Sequence, residues 1–502
     1  MLVEPPTVPA PAPISSNERA TYRPASFDAC VAHVRRYFDE FAPHRDRWRS
    51  SNDGYHGEIA RLYSYYVQPD SSVLEIGCAT GELLAALKPS RGVGVDLSPA
   101  MIERARARNP HLTFHEGAFE TLPPLLGPAF DYIVLSDLVG FVYDIQALFE
   151  ALKPYCHSRT RIILHTHSRL WQPILSVAEA MSLKYRQPTL NWVTHEDIAN
   201  FFQLTGFEVV ATDTRILCPA RIPLVQPLLN SLSALWPFRT FALTNWVVAR
   251  LPQDPVPLTP EKPKPSVTVV IPCRNEAGNI QAAIDRLPRM GSHTQVIFVE
   301  GNSKDNTWDA CLRVQKEHPE WDILVLKQPG KGKKDAVWTG FDKATGDILM
   351  ILDADLTVPP EVLPEFYAAI ATGRVEFVNG SRLVYPMEGQ AMRFLNLIAN
   401  KFFGKTFSFL IGQQVKDTLC GTKVLTRGDY QRLQRGRAYF GDFDPFGDFD
   451  LLFGAAKLGL KIMDLPIRYR DRVYGETQIS RFRHGWMLLK MCGFALLRLK
   501  MR

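Results

Sequence analysis

The chain predicts an α/β protein of two domains, and three observations carry that expectation. Short apolar runs that end on glycine or polar residues alternate with segments of helical periodicity in both halves. A proline-rich stretch, LPQDPVPLTPEKPKP at 251–265, separates the halves. In the second half an apolar run ends on two acids one residue apart, MILDADLTVPP at 350–360.

Length and charge set the frame. A chain of 502 residues exceeds one ordinary core and suggests two or three domains. A net charge of +6 is mild. It does not argue for nucleic acid, but it suits contact with anionic membrane surfaces or polyphosphates. Eight cysteines without any C-x-x-C pair read as a reduced, cytoplasmic protein without structural zinc. Residues 1–26 are Pro-rich, lack the regions of a signal peptide, and are expected to be disordered. No apolar run reaches the roughly 18 residues of a spanning helix.

The first domain is expected over 27–250. In SVLEIGCATGELLAAL, 72–87, a short buried strand runs into Gly77 and Gly81, and an apolar-periodic helix follows. Such a turn opens a helix N-terminus to a ligand and lets backbone approach it. A second strand, GVGVDLS, ends on Asp96, where doubly wound folds place an acid for ribose hydroxyls. A glycine turn alone is weak evidence; E-x-G-C-x-T-G followed by V-D-L-S and FDYIVLSDLV is stronger. Together they resemble the class I S-adenosylmethionine-dependent methyltransferases over about 28–250. The resemblance implies a Rossmann-like sheet of seven strands and S-adenosylmethionine as cofactor. It implies cofactor contacts at Glu75, Gly77, Cys78, Thr80, Gly81, Asp96 and Leu97. Ser136 and Asp137 would face the transfer site. Ala118 stands where the family often carries an acid near the adenine. His165, His167 and Tyr143 are candidates to line the acceptor site, against the plainer reading of hydrogen-bonded strand ends. A domain that binds cofactor without catalysis is the alternative.

Residues 251–265 cannot join a sheet or a helix and favour polyproline II, reaching roughly 45 Å if extended. A surface loop within one domain is the competing reading. Beyond this linker, over 266–485, SVTVVIPCRN, QVIFVEGNSKDNT and ATGDILMILDADLTVPP read as strands with polar ends. KQPGKGKKDAVWTGF places glycines and lysines before a helix. The pattern argues a parallel sheet with its ligand over the strands' carboxyl ends, and Pro359 and Pro360 are expected to stop the last of these strands.

Hard cations such as Mg2+ or Mn2+ take oxygen ligands, commonly one or two carboxylates plus substrate phosphates. Asp353 and Asp355 can aim at one diphosphate-bound ion, which would neutralise a departing diphosphate. A solvated turn is the plainer reading of two such acids. The half resembles a family 2 glycosyltransferase of the A-type fold, nearest the dolichol-phosphate mannose synthase group. That resemblance implies a nucleotide-sugar donor and a lipid-phosphate (polyprenyl phosphate) or glycan acceptor.

Its motifs fall on Pro272, Asn275 and Glu276; on Asn302, Ser303, Asp305 and Thr307; on Gly330, Lys331 and Gly332; and on the metal pair. Glu300 and Gly301 replace the usual acidic pair after the second strand. Arg382 and Arg393 fall where the synthases hold a lipid phosphate, and guanidinium is a natural fork for phosphate oxygens. Asp448, with Asp450 beside it, falls where relatives carry a third metal ligand or a catalytic base; helix capping is the competing reading for this cluster. A hydroxyl acceptor needs such a base, whereas a phosphate monoester is already largely anionic and needs a cationic cradle. A nucleotidyltransferase is the rival class. It usually opens with G-x-G-T-R, where this chain reads PCRNEAGN.

Two basic segments rich in Phe and Leu, 392–414 and the C-terminal helix expected over 486–502, the latter with Trp486, suit a membrane headgroup boundary. The expected location is cytoplasmic, peripheral at the inner face of the membrane. Core helices edged with lysine are the competing reading.

Overall fold

The computed structural model describes residues 26–121, 127–181, 185, 187, 191, 193–252, 264–382, 394–440, 449–467, 470, 472, 474 and 481–501. Most of the proline-rich linker, the N-terminal segment, Arg393 and Asp448 lie outside them. The chain divides into two compact units, each built on its own seven-stranded sheet.

In the first unit, helices α1 (Phe27–Phe41), α2 (Arg45–Ser51) and α3 (Asp53–Tyr66) precede β1 (Ser72–Ile76) and α4 (Glu82–Ala86). Then come β2 (Arg91–Asp96), α5 (Pro99–Arg108), β3 (Thr113–Glu116), β4 (Phe130–Ser136), α6 (Ile145–Leu152), β5 (Cys156–His167) and α7 (Gln172–Ala180). The unit closes with α8 (His195–Leu204), β6 (Glu208–Arg215), α9 (Val225–Leu232) and β7 (Thr244–Arg250). The strand order is β3-β2-β1-β4-β5-β7-β6, with β7 antiparallel to β5. Register matters more than order. Ile76 lies opposite both Val95 and Leu135, and Ser136 opposite His165. The residues after three parallel strands therefore reach one edge together. The central strands are buried on both faces, as crossover helices require, and read as apolar runs.

The second unit runs β8 (Val267–Cys273), α10 (Ile280–Asp285), β9 (Thr294–Glu300), α11 (Thr307–Glu317), β10 (Asp322–Lys327), α12 (Lys333–Lys343) and β11 (Ile348–Ile351). It continues with α13 (Leu363–Ala371), β12 (Phe377–Ser381), α14 (Phe394–Ile411), β13 (Lys423–Thr426), α15 (Arg427–Gly436), α16 (Phe449–Lys457), β14 (Ile462–Pro466) and α17 (Arg481–Ala495). The order is β10-β9-β8-β11-β13-β12-β14.

Two expectations need correction. The sheet is mixed: β13 runs antiparallel to both β11 and β12, inserted between them, whereas the β10-β9-β8-β11 strands are parallel to one another and β14 is parallel to β12. Pro359 and Pro360 do not stop the strand either. It ends at Ile351, and the chain turns at once, with Leu356 N–H donating to the Asp353 carbonyl and Leu356 at φ +51°. The prolines instead introduce the short 3-10 turn Pro360–Val362 ahead of α13. The core under this edge is Val269, Ile271, Val296, Phe298, Met350 and Leu352, all fully buried, each side chain contributing about 1.5–3 kcal/mol by its removal from water.

Candidate active sites

In the first unit the turn after β1 depends on backbone that only glycine adopts readily. Gly77 has φ +74° and Gly81 φ +73°. A Cβ on Gly77 would meet the Leu138 side chain at 2.9 Å, and one on Gly81 the Phe114 ring at 2.6 Å. Asp96 braces the turn from the next strand: its carboxylate accepts from Ala79 N–H at 2.8 Å and Ser98 N–H at 2.9 Å. Beside this turn lies a cavity of about 260 Å3. Glu75, Gly77, Cys78, Asp96, Leu97, Ser136 and Asp137 all line it, and so does Ala118. Thr80 and Gly81 stand behind the wall, where the buried Thr80 hydroxyl accepts from Arg45 Nε at 3.1 Å.

The cavity's charge is managed by burial. Glu75 is 2% exposed, and burial pushes its carboxyl up to about 8. Its Oε2 has no hydrogen-bond partner among the described residues. Asp96 is also raised by burial, against the pull of the Ser98 and Ala79 amides. His165 sits between Tyr63, whose hydroxyl is 3.0 Å from Nδ1, and Tyr55, 3.3 Å from Nε2, and stacks on Trp246 at 4.9 Å. Burial drives it down to about 3, so the ring is neutral. His167 faces Asp137, with Nδ1 2.8 Å from Oδ1, and Asp137 holds a φ of +52°. Tyr143 lines the cavity at its exposed side.

Sequence reasoning missed a third wall, formed by Arg45 and Arg49 of α2 and Tyr55 and His56 of α3. Arg45 and Arg49 both pair with Glu82 at the start of α4. The i, i+4 spacing of the two arginines on a short helix was the available signal. The glycine turn, the carboxylate of Asp96 and the orphaned Glu75 oxygen suit a nucleoside that also carries an amino-acid group.

In the second unit the acid pair follows β11. Asp355 Oδ1 accepts from Thr357 N–H at 3.2 Å and the Thr357 hydroxyl at 2.8 Å; its Oδ2 lies 2.5 Å from Arg472. Asp353 Oδ1 lies 2.5 Å from Lys333 Nζ at the start of α12. Arg472 also reaches Glu276 at 3.7 Å. Gly421 packs so closely behind that any Cβ there would overlap the Asp353 carboxylate and the Lys333 ammonium.

The motif residues before the acids mostly sew the loops together. Asn275 N–H donates to Ser303 Oγ at 3.0 Å, and Asn275 Oδ1 accepts from Lys304 N–H at 2.7 Å. Asp305 accepts from Ala277 and Thr307 amides, and Glu276 N–H donates to Thr307 Oγ1. Pro272 sits within β8, next to the residue paired with Glu300. Asn302 takes φ +55°. Gly330 N–H donates to Asp335 at 2.6 Å, Gly332 (φ +90°) caps α12, and Lys331 between them is exposed.

Asp450, at the start of α16, is buried and lies 2.9 Å from Lys334. Arg382 grips Asp417 through Nε (2.7 Å) and Nη2 (2.9 Å). Burial works to raise the Asp417 carboxyl, but the charge and hydrogen bonds of Arg382 prevail and hold it below the usual carboxylate range. Arg393 and Asp448 fall outside the described residues. Among the described residues no group of three His, Cys, Asp or Glu is placed to hold a metal. The pair Asp353 and Asp355 supplies oxygen donors alone, which suits Mg2+ or Mn2+ completed by phosphate oxygens.

Comparison with known proteins agrees with this division. Residues 47–212 match the model of a methyltransferase domain, and residues 268–433 that of glycosyl transferase family 2. A dolichol-phosphate mannosyltransferase of Pyrococcus furiosus is 26% identical over 244 residues, 45% of this chain and 64% of that protein. An undecaprenyl-phosphate 4-deoxy-4-formamido-L-arabinose transferase of Serratia proteamaculans is 28% identical over 151 residues, 29% of this chain and 46% of that protein. The chain thus spans about half to two-thirds of these relatives' length. A glucosyl-3-phosphoglycerate synthase of Mycobacterium tuberculosis, solved with Mn2+, UDP and glucosyl-3-phosphoglycerate, is 20% identical over 47% of this chain and 80% of its own, with a TM-score of 0.36, a weak likeness.

Proposed function

We propose, for a chain that carries a methyltransferase domain followed by a family 2 glycosyltransferase domain, two transfer reactions. The first unit moves a methyl group from S-adenosylmethionine. The second moves a sugar, with inversion and with Mg2+ or Mn2+, from a nucleotide-sugar to a lipid phosphate of the polyprenyl phosphate kind or to a glycan. The observation that carries the reading is the acid pair Asp353–Asp355 at the mouth of β11, flanked by Lys333 and Arg472.

In the first unit S-adenosylmethionine supplies an electrophilic methyl on sulfonium. Asp96 keeps lone pairs beyond the two amides it accepts and takes ribose hydroxyls. Arg45 and Arg49 place positive charge at the wall for a carboxylate. Glu75, neutral below about pH 8, can donate a hydrogen bond into the cavity. Neutral His165 and its two tyrosines can orient an acceptor in line with the methyl group without charging it.

In the second unit Asp353, Asp355 and Asp448 would hold the cation, which neutralises charge on a departing diphosphate. Lys333 and Arg472 carry positive charge to the same diphosphate. Asp450 positions Lys334, and with it the glycine–lysine turn, from its buried pair. Asp448 acts as base for a hydroxyl acceptor, or as ligand alone for a phosphate. A lipid phosphate at Arg382 has to share the guanidinium with Asp417. Trp486, Leu489 and Leu497, exposed along α17 and the turn after it, with Lys490 among them, suit a headgroup boundary; among the described residues no helix is long and apolar enough to cross a membrane.

The test is product identity. The full chain with Mn2+, a nucleotide-sugar panel and a polyprenyl phosphate should release UDP or GDP. Release of pyrophosphate from a nucleoside triphosphate and a sugar phosphate supports nucleotidyl transfer instead, and no nucleoside diphosphate release from any nucleotide-sugar defeats the glycosyl-transfer reading.

A further inference from the structure

The acid pair expected to hold the cation already has two cations of its own. Lys333 Nζ and Arg472 each lie 2.5 Å from one of the two carboxylates. These side chains are only 14–28% exposed, so water and salt screen the pairs less than they would a surface bridge. The two acids carry about the charge that the ammonium and guanidinium supply. A divalent ion entering between them meets two like charges, even with Glu276 sharing Arg472 at 3.7 Å. Gly421 lies close against one side of the Asp353–Lys333 pair, where a Cβ would overlap both charged groups.

We propose that Lys333 and Arg472 are exchangeable counter-ions. They compete with the cation for Asp353 and Asp355 until a nucleoside diphosphate draws them onto its own phosphate oxygens. Ammonium and guanidinium suit phosphate as well as they suit carboxylate. Once they swing to the diphosphate, the carboxylates keep their charge but lose its compensation just where the phosphates add oxygen ligands, and cation affinity rises. Cation and donor therefore bind with positive coupling, and by linkage each strengthens the other by the same factor. This rests on the reading of the second unit as a nucleotide-sugar enzyme. It adds two residues with a stated task and predicts that the metal follows or accompanies the donor rather than residing in the protein.

The experiment is Mn2+ binding to the full chain, followed by the electron paramagnetic resonance of free Mn2+, alone and with saturating UDP or GDP, after subtracting Mn2+ held by nucleotide in buffer. Wild type should bind Mn2+ weakly alone and roughly tenfold or more tightly with one of the nucleotides. Lys333→Gln should bind Mn2+ alone roughly 3- to 10-fold more tightly than wild type, with a smaller gain from nucleotide. Lys333→Arg, which keeps the charge, should resemble wild type. If Lys333→Gln does not melt as a folded protein, Arg472→Gln makes the same prediction. The proposal is overturned if these neutral variants bind Mn2+ alone no better than wild type while wild type binds Mn2+ with nucleotide. Absence of Mn2+ binding to every protein, with and without UDP or GDP, overturns the glycosyl-transfer reading and this inference with it.

Discussion

Glu75 and Asp353 both stand at or just past the end of a central parallel strand, in the two units of one chain, and they meet their surroundings differently. Glu75 is enclosed, its carboxyl raised to about 8, with one oxygen unpartnered among the described residues. His165 across the cavity is likewise kept neutral, lowered to about 3. Asp353 and Asp355 are instead met by Lys333 and Arg472, and Asp417 by Arg382. The first site holds Glu75 and His165 neutral by burial, whereas the second keeps its acids charged and balances them. The difference follows from the ligands proposed. A sulfonium cofactor with a neutral nucleoside needs a shaped, dry cavity, whereas a diphosphate leaving group needs mobile positive charge.

Four variants would sharpen or break this contrast. The largest effect belongs to Asp355→Ala, which should lower nucleoside diphosphate release by about 1000-fold or more and leave S-adenosylmethionine affinity untouched. Titration calorimetry beside the release assay checks both arms. Asp96→Ala should weaken S-adenosylmethionine binding roughly 10- to 100-fold, the value of charged hydrogen bonds, without changing sugar transfer.

Next is a pH effect on stability. Glu75 binds its proton up to about pH 8 in the folded chain, but only to about 4.5 when unfolded. Stability should therefore fall as pH rises between those values, by about 1.4 kcal/mol per pH unit at most, and level off above pH 8. Glu75→Gln should flatten that limb of the melting curve; an unchanged slope would show that Glu75 is not held neutral. The smallest effect is expected from Trp486→Ser, which should weaken binding to anionic vesicles about 3- to 10-fold in a sedimentation assay. No change would return α17 to the reading of a core helix.

Much of this architecture was legible in the sequence because it depends on local chemistry. Gly77 and Gly81 announce a turn through their backbone freedom, and Asp96 and Asp353 announce strand mouths by ending apolar runs. What could not be read depends on contacts between distant segments. Nothing in GKGKK tells which lysine meets Asp353 and which meets Asp450, and nothing at Arg382 reveals the Asp417 that occupies it. Arg45 and Arg49 lie on a helix that precedes the recognisable motif, so no strand or glycine pointed to them. The antiparallel insertion of β13 was hidden for a different reason: a strand of four residues carries the same apolar pattern in either direction. The residues whose motifs suggested ligand contact, Asn275, Ser303 and Asp305, turn out to brace the two loops that shape the site.

The central claim, two separate donor sites on one chain, is tested most directly by crossing Asp96→Ala and Asp355→Ala in one pair of assays, S-adenosylmethionine titration and Mn2+-dependent UDP or GDP release. Each substitution is predicted to abolish or sharply weaken its own signal and to leave the other at the wild-type level. Loss of both signals in either variant, or absence of both in wild type, would contradict the account.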